Sequence, residues 1–522
     1  MPDQTKPYII NHLISIAPQG IEVWLTRADQ SALFKKQKEA PLFVNAINNG
    51  PNLQVDTTQF FQTMEGFGFA LTGGSALLIN HLPALTRNAL LRELFSTDGN
   101  GIGVSFLRLS IGASDLSERS FSYDDMPEGQ ADPGLAHFNI EAGDSEVIPL
   151  LKEILVINPA IKLIGSPWSA PPWMKTNQSF IGGNLKPEYF HVYANYLVMY
   201  INAMNERGIT VHALTLQNEP LNEDNEPSML MEAWEQADFV KNHLGPALRE
   251  AGLGRVELFC WDHNCDVKEY PLAVLADAEA RQFLTGAAWH LYAGDIRAVS
   301  EVSKAYPDMK MYFTEQWVGG ADNAVELSSL THQIVGRQSF AAETNRMPSR
   351  HRDAELLLNS TVLGGAGDPL SSKGRDHLDA HFAGDLAWHT RNVIIGATRN
   401  GCQAVLEWNL ASDPRYHPHT PRGCANCVGA LTIGNDMTTS PNVSYYVIAH
   451  IAKFVRPGSI RIFSDDLDAL PNVAFATPNG TVVLIVLNEN TDAQTFNIQF
   501  RGKLATIVLE GGSVATYVWK IV

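Results

Sequence analysis

The chain has 522 residues, 45% hydrophobic and 18% charged, with a formal net charge of −18 at pH 7. That length and composition supply a large core and suit one big domain beside a smaller one. The acidic balance, without any Lys/Arg cluster, excludes a nucleic-acid partner, and no run reaches the ~20 apolar residues that span a bilayer.

In chain order, the N-terminal Met1–Pro7 lacks the basic start and apolar stretch of a secretory signal. The residues do not choose a compartment: secreted or periplasmic if a leader has been removed, otherwise cytoplasmic. Gly20–Thr26 and Leu53–Thr58 read as strands without helical partners. Eight strand-like runs follow: Gly66–Thr72, Val104–Ile111, Ile161–Ser166, Val211–Leu216, Val256–Trp261, Ala287–Tyr292, Met309–Thr314 and Gln403–Trp408. Helix-period stretches separate most of them, namely Leu82–Phe95, Glu146–Val156, Glu188–Glu206, Met231–Ala251 and Asp385–Arg399. Alternation of this kind implies parallel strands joined by right-handed crossovers, and eight units predict a closed (β/α)8 barrel. The stretch from Gly319 to His381 is too long for a βα loop and is expected to form a helical insertion near the site.

From Val443 onward the pattern becomes short alternating strands: Asn472–Ala476, Thr481–Leu487, Thr495–Phe500, Leu504–Leu509 and Val514–Trp519, with Pro478-Asn479-Gly480 as a turn. These predict a β-sandwich built from both termini. The expected division is 1–60 for its N-terminal strands, 61–442 for the barrel and 443–522 for its C-terminal part.

Barrel enzymes build their sites at the C-terminal ends of the strands. The residues at those ends are Asp115, Trp168 with Trp173, Asn218 with Glu219, Asp262 with His263, His290 with Tyr292, Glu315 with Trp317, and Trp408 with Asn409. Glu219 and Glu315 each close a hydrophobic strand, and a pair of carboxylates presented this way is the minimum equipment for glycosidic bond hydrolysis. Asp262 and His263 have only their position to recommend them. The five cysteines are too few and odd in number for a disulfide framework. His417, His419, Cys424 and Cys427 have zinc-ligand chemistry, but without a standard spacing; the expectation is a loop held by its thiols or by one local disulfide, with zinc as the alternative.

The ordered set Gly66-Phe67-Gly68, Arg108-Leu109-Ser110, Ser166-Pro167-Trp168, Gln217-Asn218-Glu219-Pro220, His290-Leu291-Tyr292, Phe313-Thr314-Glu315 and Glu407-Trp408-Asn409-Leu410 resembles glycoside hydrolase family 30 from about Phe61 to the C-terminus. The resemblance implies a retaining β-glycosidase with Glu219 as acid/base and Glu315 as nucleophile. It also implies substrate contacts at Arg108, Asp115, Trp168, Asn218, His290, Tyr292 and Trp408.

Two departures point within the family. Phe69-Ala70-Leu71-Thr72-Gly73 stands where many relatives carry an aspartate, and the loop Leu221–Met229 lacks the tyrosine that glucosylceramidase places there. Together with Ser120–Asp125 and the Cys424–Cys427 loop, these features look more like the β-1,6-glucanase branch. The expected substrate is therefore β-1,6-glucan; a glucosylceramidase or broad β-glucosidase is the runner-up. A non-catalytic carbohydrate-binding protein is the reading from another class, against which the intact pair of glutamates argues. The chemistry requires no metal or organic cofactor. It requires carboxyl groups about 5–5.5 Å apart, an ionised Glu315 and a protonated Glu219 whose pKa is raised by its neighbour's charge.

Overall fold

The computed structural model describes residues 20–47, 50–319 and 382–521. Eight parallel strands close a barrel: Gly66–Leu71, Phe106–Ile111, Lys162–Pro167, Ala213–Thr215, Glu257–Cys265, Gly286–Gly294, Lys310–Glu315 and Cys402–Glu407, the eighth pairing back onto the first. All eight expected barrel strands are present. They are buried almost throughout, because helices cover the outer face while side chains fill the lumen.

The lumen is layered by the two-residue period of the strands. At the strand starts, Lys310 Nζ lies 2.5 Å from both Glu65 and Glu257, and Lys162 Nζ lies 2.6 Å from Glu65. Above them Phe106, Ile164, Ala213, Phe259, Ala288, Tyr312, Ala404 and Leu406 make an apolar layer. Its large rings and small alanines fit together: Phe259 and Tyr312 stack with centroids 4.1 Å apart. The next inward positions, at the strand ends, are polar.

The outer helices include Ala84–Phe95, Val147–Ile157 and Phe190–Glu206, the last burying Tyr193, Tyr196 and Tyr200 against the barrel. Among the described residues no helix is long and apolar enough to cross a membrane.

A nine-stranded sheet forms the second unit, in the order Lys503–Leu509, Gln494–Phe500, Asn52–Thr63, Ile460–Ser464, Asn472–Ala476, Thr481–Asn488, Ser513–Lys520, Glu22–Arg27 and Lys35–Lys36. Strands from both ends of this order contribute to one core that includes Val23, Leu53, Phe496, Ile498, Leu484 and Trp519. The sandwich is therefore made from both termini, as the alternation predicts.

One segment departs from the expected strands. Val443–Ala452 is a helix with all ten residues buried. It lies between the two units, where the His450 ring nitrogens each reach a threonine hydroxyl, Thr26 and Thr516, at 2.8 Å. A segment buried on every side has no exposed face to impose a period, so its pattern reads equally as strand or helix. The insertion expected between Gly319 and His381 falls on 320–381, outside the described residues.

Candidate active site

The polar layer at the strand ends converges on Arg108 and Asp262, both fully buried. The Arg108 guanidinium donates Nη1 to Glu315 Oε2 at 2.6 Å. Its Nη2 donates to Asn218 Oδ1 at 2.6 Å, Asp262 Oδ2 at 2.8 Å and Ser166 Oγ at 3.2 Å. With Oδ1 of Asn218 so engaged, its amide nitrogen remains as the donor for a ligand.

Asp262 is held by five groups. Ser166 Oγ and Thr215 Oγ1 reach Oδ2 at 2.7 Å each beside Arg108, while Thr314 Oγ1 at 2.6 Å and His290 Nε2 at 3.2 Å reach Oδ1. Burial alone would push its carboxyl up, but Arg108 and this shell of donors hold it far below the ordinary carboxylate range.

His290 spans the layer. Its other nitrogen, Nδ1, is 3.2 Å from Glu219 Oε1 and 3.9 Å from Glu315 Oε1. A carboxylate oxygen of Glu219, one of Glu315 and a His290 nitrogen all lie within 4.8 Å of one another. Tyr292 donates its hydroxyl to Glu315 Oε1 at 2.9 Å, and Asn222 Nδ2 donates to Glu219 Oε2 at 2.8 Å.

The protonation pattern differs from the expected one. Burial raises Glu219, but the His290 hydrogen bond and the nearby His263 and His290 bring it down to about 2. His290 moves the other way: burial opposes its charge, yet Glu315, Asp262 and Glu219 lift it to about 9. Burial raises Glu315 as well, against the pull of His290 and Arg108. Its two closest partners, Arg108 and Tyr292, both donate to it, so it is an acceptor in this site.

Asp115 sits in the loop beyond the second barrel strand, where Cys424 N–H donates to its Oδ2 at 3.3 Å. Its Oδ1 is buried without a hydrogen-bond partner. Burial first, then the charges of Glu315 and Glu219, push it up to about 7. Trp168 and Trp408 lie side by side, centroids 5.4 Å apart, with the Arg108 guanidinium 4.6 Å from the Trp168 centroid. All nine sequence-predicted site residues thus gather in one region. Trp173 does not join them: its ring packs edge-on against Tyr189 and its indole N–H donates to the Asp124 carbonyl, so it supports the wall from behind.

Asp262, Ser166, Thr215 and Thr314 carry much of the network and were passed over or underrated in sequence. Alternation from Glu257 and Phe259 points Trp261 inward and Asp262 outward. A register shift between Trp261 and His263, with φ of 72° at Trp261 and 66° at Asp262, reverses that parity. Trp261 goes to the outer core against Tyr270, and Asp262 turns into the barrel. A second shift, between Phe313 and Glu315, accompanies the inward placement of both Thr314 and Glu315. The three hydroxyl residues did leave a signal, as the last inward polar positions of apolar strands.

In the distal loop Cys424 and Cys427 are joined in a disulfide, the local bridge that stood against the zinc alternative, so neither thiolate is available as a ligand. His419 directs Nδ1 to the Thr420 carbonyl at 2.7 Å.

A parallel barrel with two carboxylates facing each other at its C-terminal mouth, flanked by indole rings and by donors, defines a glycoside hydrolase. The sequence comparisons specify which: residues 64–367 match the TIM-barrel domain of glycosyl hydrolase family 30 and residues 458–517 its β-sandwich domain, and the chain belongs to that family. It is 38% identical over 411 residues to an endo-1,6-β-D-glucanase of Neurospora crassa, an alignment spanning 76% of this chain and 72% of that protein. It is 28% identical over 501 residues to the lysosomal acid glucosylceramidase of Mus musculus, spanning 91% and 85%. Among solved structures, the endo-β-1,6-glucanase BT3312 superimposes with a TM-score of 0.79 at 29% identity, over 96% of this chain and 99% of that one.

Proposed function

We propose that this glycoside hydrolase cleaves β-1,6-linked glucan with retention of configuration, Glu315 acting as nucleophile and Glu219 as acid/base. The observation that carries this reading is the approach of the two carboxylates to within 4.8 Å. Retaining enzymes hold them about 5–5.5 Å apart so that one attacks the anomeric carbon directly, while inverting enzymes leave about 6.5–9.5 Å for a water.

Charge coupling supports the division of roles. His290 Nδ1 and Glu219 Oε1 meet at 3.2 Å and share a proton in this reading, the surrounding charges favouring the imidazole as its carrier. When Glu315 attacks and becomes an ester, its negative charge disappears. The charge of Glu315 is the largest influence raising His290, so the pair then surrenders its proton more readily to the leaving oxygen. The cluster gains as much charge at Glu315 as it loses at the pair, and its total stays constant in a site from which water is largely excluded. Hydrolysis of the ester reverses both changes: Glu219 takes the proton from water as Glu315 regains its charge. Asn218, Tyr292 and the open Oδ1 of Asp115 suit sugar hydroxyls, and Trp168 and Trp408 give the pyranose flat apolar faces.

Linkage is supported by the relatives and by the wall next to Glu219. The loop 221–229 is bound into polar contacts: Ser120 Oγ donates to Glu226 Oε1 at 3.2 Å and Thr420 Oγ1 donates to the Glu226 carbonyl at 2.5 Å. None of the exposed large apolar side chains of the described residues belongs to it, so it offers hydroxyl acceptors and no strip for lipid tails. Hydrolysis of pustulan or gentio-oligosaccharides is expected to be at least roughly tenfold more efficient than that of glucosylceramide in detergent, about 1.4 kcal/mol in transition-state binding. Equal efficiency on both would remove the linkage assignment and leave the two-glutamate chemistry intact.

A further inference from the structure

We propose that Asp124, Asp132 and His137 form a binding site for a divalent cation of zinc type, on the long segment that follows the second barrel strand. One ligand atom from each residue lies within 4.8 Å of the other two. Asp124 is 1% exposed and Asp132 9% exposed, whereas the His137 side chain is 67% exposed and opens the cluster to solvent. His137 Nδ1 is already 2.8 Å from Asp132 Oδ2.

Asp124 is the informative member. Both of its carboxylate oxygens are buried and neither has a hydrogen-bond partner of good geometry, the Trp173 indole N–H being the one donor near enough to lower the carboxyl. The nearby indole N–H of Trp173 donates to the Asp124 backbone carbonyl instead, at 2.9 Å. The charged groups acting on the carboxylate are Asp132 and Asp125, of its own sign, and His137. A buried carboxylate with open lone pairs beside a second carboxylate is unfavourable without a cation. One imidazole and two carboxylates match zinc better than magnesium or calcium, which prefer all-oxygen shells. Zinc bonds of about 2.0–2.2 Å in a tetrahedron set ligand atoms about 3.4 Å apart, so three groups now within 4.8 Å of one another close by up to about 1.4 Å on binding, and the exposed His137 side leaves a coordination position for water. The site uses none of the residues placed in catalysis. Its segment reaches the cleft through Ser120, which donates to Glu226, so a bound ion braces the wall next to Glu219.

The test uses the full chain stripped with EDTA, then titrated with ZnCl2 or MgCl2 by calorimetry and followed by thermal unfolding. Zinc is expected to fill one high-affinity site and raise Tm, with MgCl2 giving no comparable rise. His137→Gln, a change at an exposed side chain, is expected to weaken zinc binding at least ~10-fold, as is Asp124→Asn. Glu315→Gln should leave that site intact, separating it from zinc held by the catalytic carboxylates. Unchanged zinc binding in His137→Gln, or an equal Tm rise with MgCl2, overturns the proposal. So does an Asp124→Asn protein stabilised without metal alongside a wild type indifferent to zinc, which would identify a protonated carboxyl pair.

Discussion

Replacing Asp262 by Asn tests the electrostatic core of the site. The side chain keeps its shape and loses its charge, while Arg108, Glu219 and Glu315 remain. The His290 imidazole stands at about 9 against an ordinary 6.5, a preference for its charged form of about 3 kcal/mol. Asp262 contributes to that preference both by the Oδ1 hydrogen bond and by its charge; Glu315 and Glu219 supply the remainder. Without Asp262 the proton shared by His290 and Glu219 is lost at lower pH. Because the folded value lies above the unfolded one, the stability it confers is complete below pH 6.5 and is lost as pH rises through about 9; the variant should lose it earlier. The expected result is an alkaline limb of kcat/KM on an aryl β-glucoside displaced downward by about one pH unit or more. A fall of about 3–5 kcal/mol in stability at neutral pH should accompany it, since the buried Arg108 loses one of its two carboxylate partners. An alkaline limb at the wild-type pH, with activity reduced evenly across the range, would refute the shared-proton account and leave Asp262 as an anchor for Arg108 alone.

Glu315→Ala should abolish turnover, and azide or formate should restore it with inverted product, because the small anion attacks from the face the carboxylate vacated; polarimetry or NMR that found retained configuration would end the nucleophile assignment. Glu219→Ala should slow substrates with poor leaving groups by ~10²–10⁴, yet still form and accumulate a glycosyl-enzyme from a dinitrophenyl glucoside, as mass spectrometry can detect; equal loss on both substrates would make Glu219 structural. Asp115 stands at about 7 in the folded chain against 3.8 ordinarily, so the native state binds more protons and wild-type stability should fall as pH rises between those values. The Tm advantage of Asp115→Asn over wild type should therefore grow across pH 4–7 and then level off; a constant difference would contradict the buried, raised carboxyl.

Much of this architecture is legible in residue order alone. Strand-helix alternation specified the barrel, and the residues ending its strands, Glu219 and Glu315 above all, specified where polar groups would collect. Alternation of period two also announced the sandwich strands from Asn472 onward. Those signals are local: they depend on residue type and spacing along one segment. Other features depend on neighbours distant in the chain. The helix at Val443–Ala452 carries no readable period because both units bury it. Asp262 enters the barrel because a register shift against the sixth strand reverses its parity, and no residue pattern within the fifth strand encodes that. His290 is pushed toward its charged form because Asp262 and Glu219, from two other strands' ends, meet its two nitrogens and Glu315 lies close by. Burial and the charges nearby set where a proton resides, and both exist only once the strands have closed.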